Sequence, residues 1–243
     1  MKKALTIALA AALAGGGMMA QANQQGDWIL RAGATTVDPD TDSDDIVLPG
    51  QEIGIDGPIT LEADVDDDTQ LGIIPVYMVT DKFAVEVLAA TPFEHDIAAE
   101  GKGEIQGLKL DAGSTKHLPP TVSVQWYPRG GQDGWQPYFG IGVNYTIFFD
   151  EDVDNELKET LGVLIPGVDD ADLDLDDSFG LAAQAGVDIP FGEHWAVNLG
   201  VWYIDIDTEA EITAKAGGSQ VAKVKFDVDI DPWVYNIGVA YKF

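Results

Sequence analysis

The residues able to do chemistry in this chain are few. There are three histidines, His95, His117 and His194, and no cysteine. Without cysteine there is no disulfide framework, no thiolate zinc site and no cysteine nucleophile. His95-Asp96 and Ser114 offer a base and a nucleophile in one stretch of chain. No Gly-x-Ser-x-Gly elbow accompanies them. Nearness in sequence is not triad geometry, so no catalytic residue is assigned and no enzyme is expected. Acids are abundant: 42 Asp and Glu stand against 13 Lys and Arg, for a net charge of −29. They alternate at Asp38, Asp40, Asp42 and Asp44, at Asp150, Asp152 and Asp154, and from Asp170 to Asp176. None of these strings has the glycine and glutamate spacing of an EF-hand loop. They read as solvated surface, and neither a metal ligand nor a cofactor is expected. A chain this acidic repels a phosphate backbone, which excludes nucleic acid as a partner. Two charges stand apart. Arg31 and Glu86 each interrupt a segment otherwise built mostly of apolar and small residues.

The elements that must hold these residues follow from the pattern around them. Lys2 and Lys3, an apolar stretch over 4–14, Gly15 to Gly17 and the small-x-small Ala20-Gln21-Ala22 predict a secretory signal over 1–22. The mature domain is then 23–243. No uninterrupted apolar run reaches about 18 residues, so no helical membrane span is expected. Behind the signal, period-2 alternation predicts strands near 26–37, 68–79, 83–93, 116–128, 136–149, 178–189, 194–208 and 226–243. In the last of them Trp233, Tyr235, Ile237, Val239, Tyr241 and Phe243 share one face, opposite Val234, Asn236, Gly238, Ala240 and Lys242. The gaps alternate between long (38–67, 94–115, 150–177, 210–225) and short (80–82, 129–135, 190–193). Segregation of loops by length, with a bulky apolar face opposite a small or polar one, predicts an all-β, eight-stranded antiparallel transmembrane β-barrel. Long loops are extracellular, short turns periplasmic, and both termini lie at the short-turn end. Trp28, Phe83, Tyr127, Trp135, Tyr138, Phe191, Trp195, Tyr241 and Phe243 are expected in one aromatic belt. Phe93, Phe148, Phe149, Tyr203, Trp233 and Tyr235 are expected in the other. Loop 38–67 carries 11 acids and loop 150–177 carries 12, far from lipid, where charge is costly.

An eight-stranded barrel has little room inside. Leu88, Phe93, Leu118, Trp202 and Ile204 are expected to line an apolar upper lumen. Such a lumen suits a greasy solute and rejects hydrated ions by desolvation cost; the alternative is a filled, inert barrel. Arg31 and Glu86 face inward in the lower half and are expected to pair as a polar plug, the alternative being two separately solvated side chains. Pro92, Pro119 and Pro120 fall near the top of the third and fourth strands. Proline cannot donate to a ladder, so they mark either a wall opening toward the membrane or simple entry into loops. Val153, Leu157, Leu161 and Leu164 have helical spacing, with Asp154 as the N-cap, which predicts a short helix over the barrel mouth.

Local strings add to this reading. They include Gly26-Asp27-Trp28 with Arg31 and Gly33, Leu71-Gly72 through Tyr77 to Thr80-Asp81, Ala84-Val85-Glu86, and Thr91-Pro92-Phe93 with His95-Asp96. Leu118-Pro119-Pro120-Thr121, Pro137-Tyr138 with Gly140, Gly142 and Asn144-Tyr145, Gly180 to Gly186, Tyr203-Ile204-Asp205, and Asp231-Pro232-Trp233 to Phe243 follow in order. Together they make the chain resemble the OmpW family of Gram-negative outer-membrane proteins over nearly its whole mature length. Loops 38–67 and 150–177 depart from the family pattern in length and acidity. The resemblance implies an eight-stranded barrel with a narrow, largely hydrophobic interior and a role in passing small, often apolar molecules across the outer membrane. It also implies a link to stress responses. Tyr241 and Phe243 look like the signal read by the outer-membrane assembly machinery. The expectation is therefore an outer-membrane channel for passive uptake of small hydrophobic molecules, with lipid, such solutes and the assembly machinery as partners. The alternatives are a structural, stress-related or receptor-type barrel without flux, and a small polar-solute or ion porin.

Overall fold

The structure, a computed structural model, describes residues 22–49 and 58–243. The signal expected over 1–22 lies outside the described residues, apart from Ala22. In chain order the elements are β1 (Trp28–Asp38), β2 (Asp42–Ser43), β3 (Ile46–Pro49), β4 (Pro58–Val65), β5 (Asp68–Met78) and β6 (Phe83–Ala90). Next come β7 (Phe93–Gly101), β8 (Lys109–Leu118), β9 (Thr121–Trp126), β10 (Gln136–Val153) and the helix α1 (Asn155–Leu164). The chain ends with β11 (Asp170–Leu175), β12 (Ser178–Pro190), β13 (Trp195–Ile204), β14 (Asp207–Ala216), β15 (Ser219–Asp229) and β16 (Trp233–Lys242).

Eight of these close a barrel. The order is β12-β13-β16-β1-β5-β6-β9-β10, and β10 returns to pair with β12. Every neighbour pair is antiparallel. Alternation decides which side chains turn inward. Along β9, Thr121, Ser123 and Gln125 are buried while Val122, Val124 and Trp126 are exposed. Along β5, Ile74, Val76 and Met78 are fully buried while Leu71, Ile73 and Tyr77 are exposed. An outward face this apolar is stable only against lipid. Exposed rings bound it at both ends: Trp28, Phe83, Trp126, Trp135, Phe191 and Trp195 at the short turns, and Tyr145, Phe179, Tyr203, Trp233 and Tyr235 at the other rim. Four expected belt members turn inward instead. Tyr127 and Tyr138 are fully buried, and Phe93 and Phe148 are buried. For Tyr127 the error is one residue of parity, because Trp126 takes the outward place.

The long connections are strands rather than loops. The wall continues upward through β10-β8-β7-β4-β3, and β11-β14-β15-β2 form a second sheet. The local reason is plain in β14 and β15. Gly217 and Gly218 both have positive φ, 57° and 77°, and they join the paired residues Ala216 and Ser219. A two-residue turn with both positions left-handed favours a hairpin. Segment 210–225, expected as a loop, is that hairpin, and strands 194–208 and 226–243 each divide at the rim. On the extension the outward face becomes charged, with Glu94 paired to Lys116, so it stands in water. The helix forms over the three leucines of the predicted spacing, while Val153 ends β10. Asp154 caps it by accepting from Glu156 N at 2.8 Å, and Leu157, Leu161 and Leu164 are buried beneath it.

Candidate functional site: a polar plug under an apolar cavity

The lower interior holds a charged network. Arg31 on β1 donates from Nη1 to Glu86 Oε2 on β6 at 2.7 Å. It grips Asp188 on β12 with two bonds, Nε to Oδ1 at 3.1 Å and Nη2 to Oδ2 at 2.7 Å. Nη2 also donates to Tyr127 OH at 2.8 Å, and the guanidinium lies 4.2 Å over the Tyr138 ring. Glu86 Oε1 accepts from Gln184 at 2.9 Å and from the Trp202 indole at 3.3 Å, while Gln125 donates to Oε2. Asn198 donates to Asp188 and to Tyr138 OH, and accepts from Asn236. The side chains of Arg31 and Glu86 are fully buried. Two charges held from water in this way are tolerable only because fixed donors and acceptors surround them. Gly186 and Gly200 make the room: a Cβ there would meet the rings of Tyr138 and Trp202.

Above the network the interior is apolar. On β13 the inward residues rise from Asn198 in the network through Trp202 and Ile204, and beyond the rim Thr208 of β14 reaches the cavity. On β6 they rise from Glu86 to Leu88, and β7 carries Phe93 and His95. Leu88, Phe93, Trp202 and Ile204 are all buried and form the layer between plug and cavity. The cavity itself is about 90 Å³, bordered by Val37, Leu61, Phe148, Leu161, Ala210 and Phe226 among others. Leu88, Phe93, Trp202 and Ile204, expected to line the lumen, are buried but do not border this cavity, and Leu118 departs further. Leu118 pairs with Ile147, which is exposed on the outer face. Thr115, His117 and Pro119 take the inward positions of that stretch, so Leu118, half-buried, points outward.

The prolines lie where the ladder between two neighbouring segments is interrupted, while each segment stays bonded to its other neighbour. Between β6 and β9 the ladder ends at Leu88 with Thr121. Between β7 and β8 it resumes at Phe93 with His117. Ala89 to Pro92 and Leu118 to Pro120 face that interval without ladder pairs between them. The interval sits at the level of Leu88 and Phe93, just below the cavity.

His95, weighed from the sequence as a base for Ser114, meets instead His117, to which the sequence assigned no role. His95 Nε2 and His117 Nε2 are 2.9 Å apart, and His95 Nδ1 is 2.6 Å from the carbonyl of Asp66. Asp96 pairs with Ser114 on the opposite face of the sheet, so His95 cannot serve Ser114 as a base. His117 packs on Phe93 and Phe148. Burial, with His95 beside it, pushes its pKa down to about 3. In the unfolded chain a histidine titrates at ~6.5. The unfolded state therefore binds a proton that the folded state refuses, and stability falls as pH drops from ~6.5 toward 3. Proton NMR of the folded protein is expected to show an untitrated His117 ring at pH 5; a normal titration would contradict this burial. Among the described residues the acids that converge are Asp205, Asp207 and Asp231, none of them in the alternating strings. Asp231 already accepts from Tyr203 OH and Ile206 N.

At the periplasmic end Tyr241 and Phe243 stack edge-on at 4.9 Å, and Phe243 N donates to Trp28 O at 2.9 Å.

Comparison with known proteins bears on what this arrangement is. The model of the OmpW family matches residues 24–243. Outer membrane protein W of Vibrio cholerae is 43% identical over 222 residues, covering 91% of each chain. Outer membrane protein W of Escherichia coli is 39% identical over 243 residues, the full length of both. The crystal structure of the outer membrane protein OprG from Pseudomonas aeruginosa superposes with a TM-score of 0.75 at 46% identity, covering 92% of this chain and 99% of that one.

Proposed function

The chain belongs to the OmpW family of outer-membrane β-barrels, and on that premise we propose that it is a narrow conduit for passive uptake of small hydrophobic molecules. The observation that carries this reading is the apolar cavity of about 90 Å³ seated over a buried ion network. A hydrated ion or sugar entering from outside loses water to an apolar lining and gains nothing in return. An apolar solute is stabilised there by its own buried area, at about 25 cal/mol per Å². The path does not continue downward, because Arg31, Glu86 and Asp188 close the lower barrel with short charged bonds. The unpaired interval at Pro92 and Pro119-Pro120 supplies a sideways exit. Leu88, Phe93, Trp202 and Ile204 form the floor that steers the solute to it. Lipid surrounds the barrel, and Tyr241 and Phe243 at the periplasmic end are the signal we assign to the assembly machinery.

A test in cells follows. A strain lacking the barrel is expected to take up a medium-chain alkane slowly through its lipopolysaccharide surface, and expression of the barrel is expected to speed that uptake several-fold. Equal uptake with and without the barrel would leave a structural or receptor role as the better reading.

A further inference from the structure

The histidine pair leaves one acceptor without a partner at the cavity. His95 Nδ1 faces a backbone carbonyl at 2.6 Å, which only accepts, so Nδ1 carries the proton. Neutral His95 then offers a lone pair at Nε2, and His117 Nε2 must donate to it across 2.9 Å. The remaining nitrogen, His117 Nδ1, is therefore a bare acceptor. It is buried and has no hydrogen-bond partner. The other polar side chains bordering the cavity among the described residues are His95, Thr115 and Thr208. Thr115 donates to Lys116 O and Thr208 to Asp176 O. The rings packed on His117 are those of Phe93 and Phe148, besides His95. Asp68, the acid nearest the pair on β5, is occupied by Glu94 N and Gln70 Nε2. Burial keeps both imidazoles neutral, consistent with this proton order.

His117 borders the apolar cavity, so an orphaned acceptor on its ring, brought to the cavity by a turn of the ring, is a recognition element. A hydrocarbon leaves it unsatisfied, whereas a solute with one hydroxyl satisfies it with a small rotation of the ring or of the solute. We propose that the cavity selects apolar solutes that carry a single hydrogen-bond donor, a primary alcohol or a phenol, and that His117 Nδ1 accepts from that donor. This inference rests on the conduit reading and sharpens its substrate class.

The test uses two isomers, octan-1-ol and 1-methoxyheptane, which match in size while only the alcohol donates. With the protein in phospholipid nanodiscs, octan-1-ol is expected to bind about tenfold more tightly, the worth of one recovered hydrogen bond. In protein labelled with ¹⁵N-histidine, the Nδ1 resonance of His117 is expected to move with the alcohol and not with the ether. Removing His117 alone would leave His95 Nε2 as the orphan, so the variant exchanges both, His95→Leu with His117→Phe. It is expected to bind both isomers equally, at the ether's affinity. Equal binding of the isomers by the unaltered protein, with a stationary Nδ1 resonance, overturns the selection and leaves the conduit standing. Failure of both isomers to bind overturns the conduit as well.

Discussion

Replacing Arg31 with methionine is expected to destabilise the barrel by about 3–5 kcal/mol, because it leaves the fully buried Glu86 and the nearly buried Asp188 without their cation. The side chain is fully buried, and each of its nitrogens is bonded to a side-chain partner. Methionine keeps much of the volume and removes every one of those bonds. A urea titration of the protein refolded into phospholipid vesicles reads the loss directly. Adding Glu86→Gln and Asp188→Asn is expected to recover most of it, since removing a whole buried charge set costs far less than removing one member. A single-variant loss under about 1 kcal/mol would mean that water reaches the network, as at an ordinary exposed ion pair, and the plug would have no physical basis. The same variant is expected to let small ions leak through the lower barrel, read as conductance in planar bilayers.

Filling the cavity is expected to have the second large effect. Ala210 on β14 is buried at its edge, and Ala210→Phe places a ring where a solute would sit. Flux of an apolar solute is expected to fall at least about tenfold, the equivalent of 1.4 kcal/mol of lost occupancy. Overpacking is expected to cost about 1–3 kcal/mol of stability, which leaves the barrel assembled. Val221→Phe, at an exposed site on the neighbouring β15, places the same ring outside the cavity and is expected to change nothing. Unchanged flux in Ala210→Phe would take the cavity off the solute's path.

The barrel was legible because alternation over about ten residues is a long signal, and loops sorted by length separate a membrane barrel from a soluble one. The helix was legible because Asp154 and three leucines at helical spacing agree with each other. Parity was the weak point. Tyr127 and Trp126 are neighbours of similar character, and only the buried partners Arg31 and Gln125 explain why the tyrosine turns inward. Leu118 was misplaced for the same reason: nothing within its own segment distinguishes a leucine facing lipid from one facing an apolar lumen. Asp188 is buried on β12 and is the acid that completes the Arg31 site. Its role depends on contacts 157 positions apart in sequence, which no local pattern carries. The sheet formed by β11, β14, β15 and β2 was hidden because acids on its outer face resemble loop composition. The pair Gly217-Gly218 was the available turn signal. The histidine pair joins residues 22 positions apart through a register that only the folded hairpin sets.

The central claim is that the interior passes apolar molecules and refuses polar ones. The most direct measurement compares the flux of an apolar solute, a small sugar and a monovalent ion through the purified barrel, in proteoliposomes whose outer leaflet contains lipopolysaccharide. Acceleration of the apolar solute alone is the predicted result. Acceleration of the sugar or the ion would mean a wet lumen that the buried Arg31 network does not close, and would contradict the account.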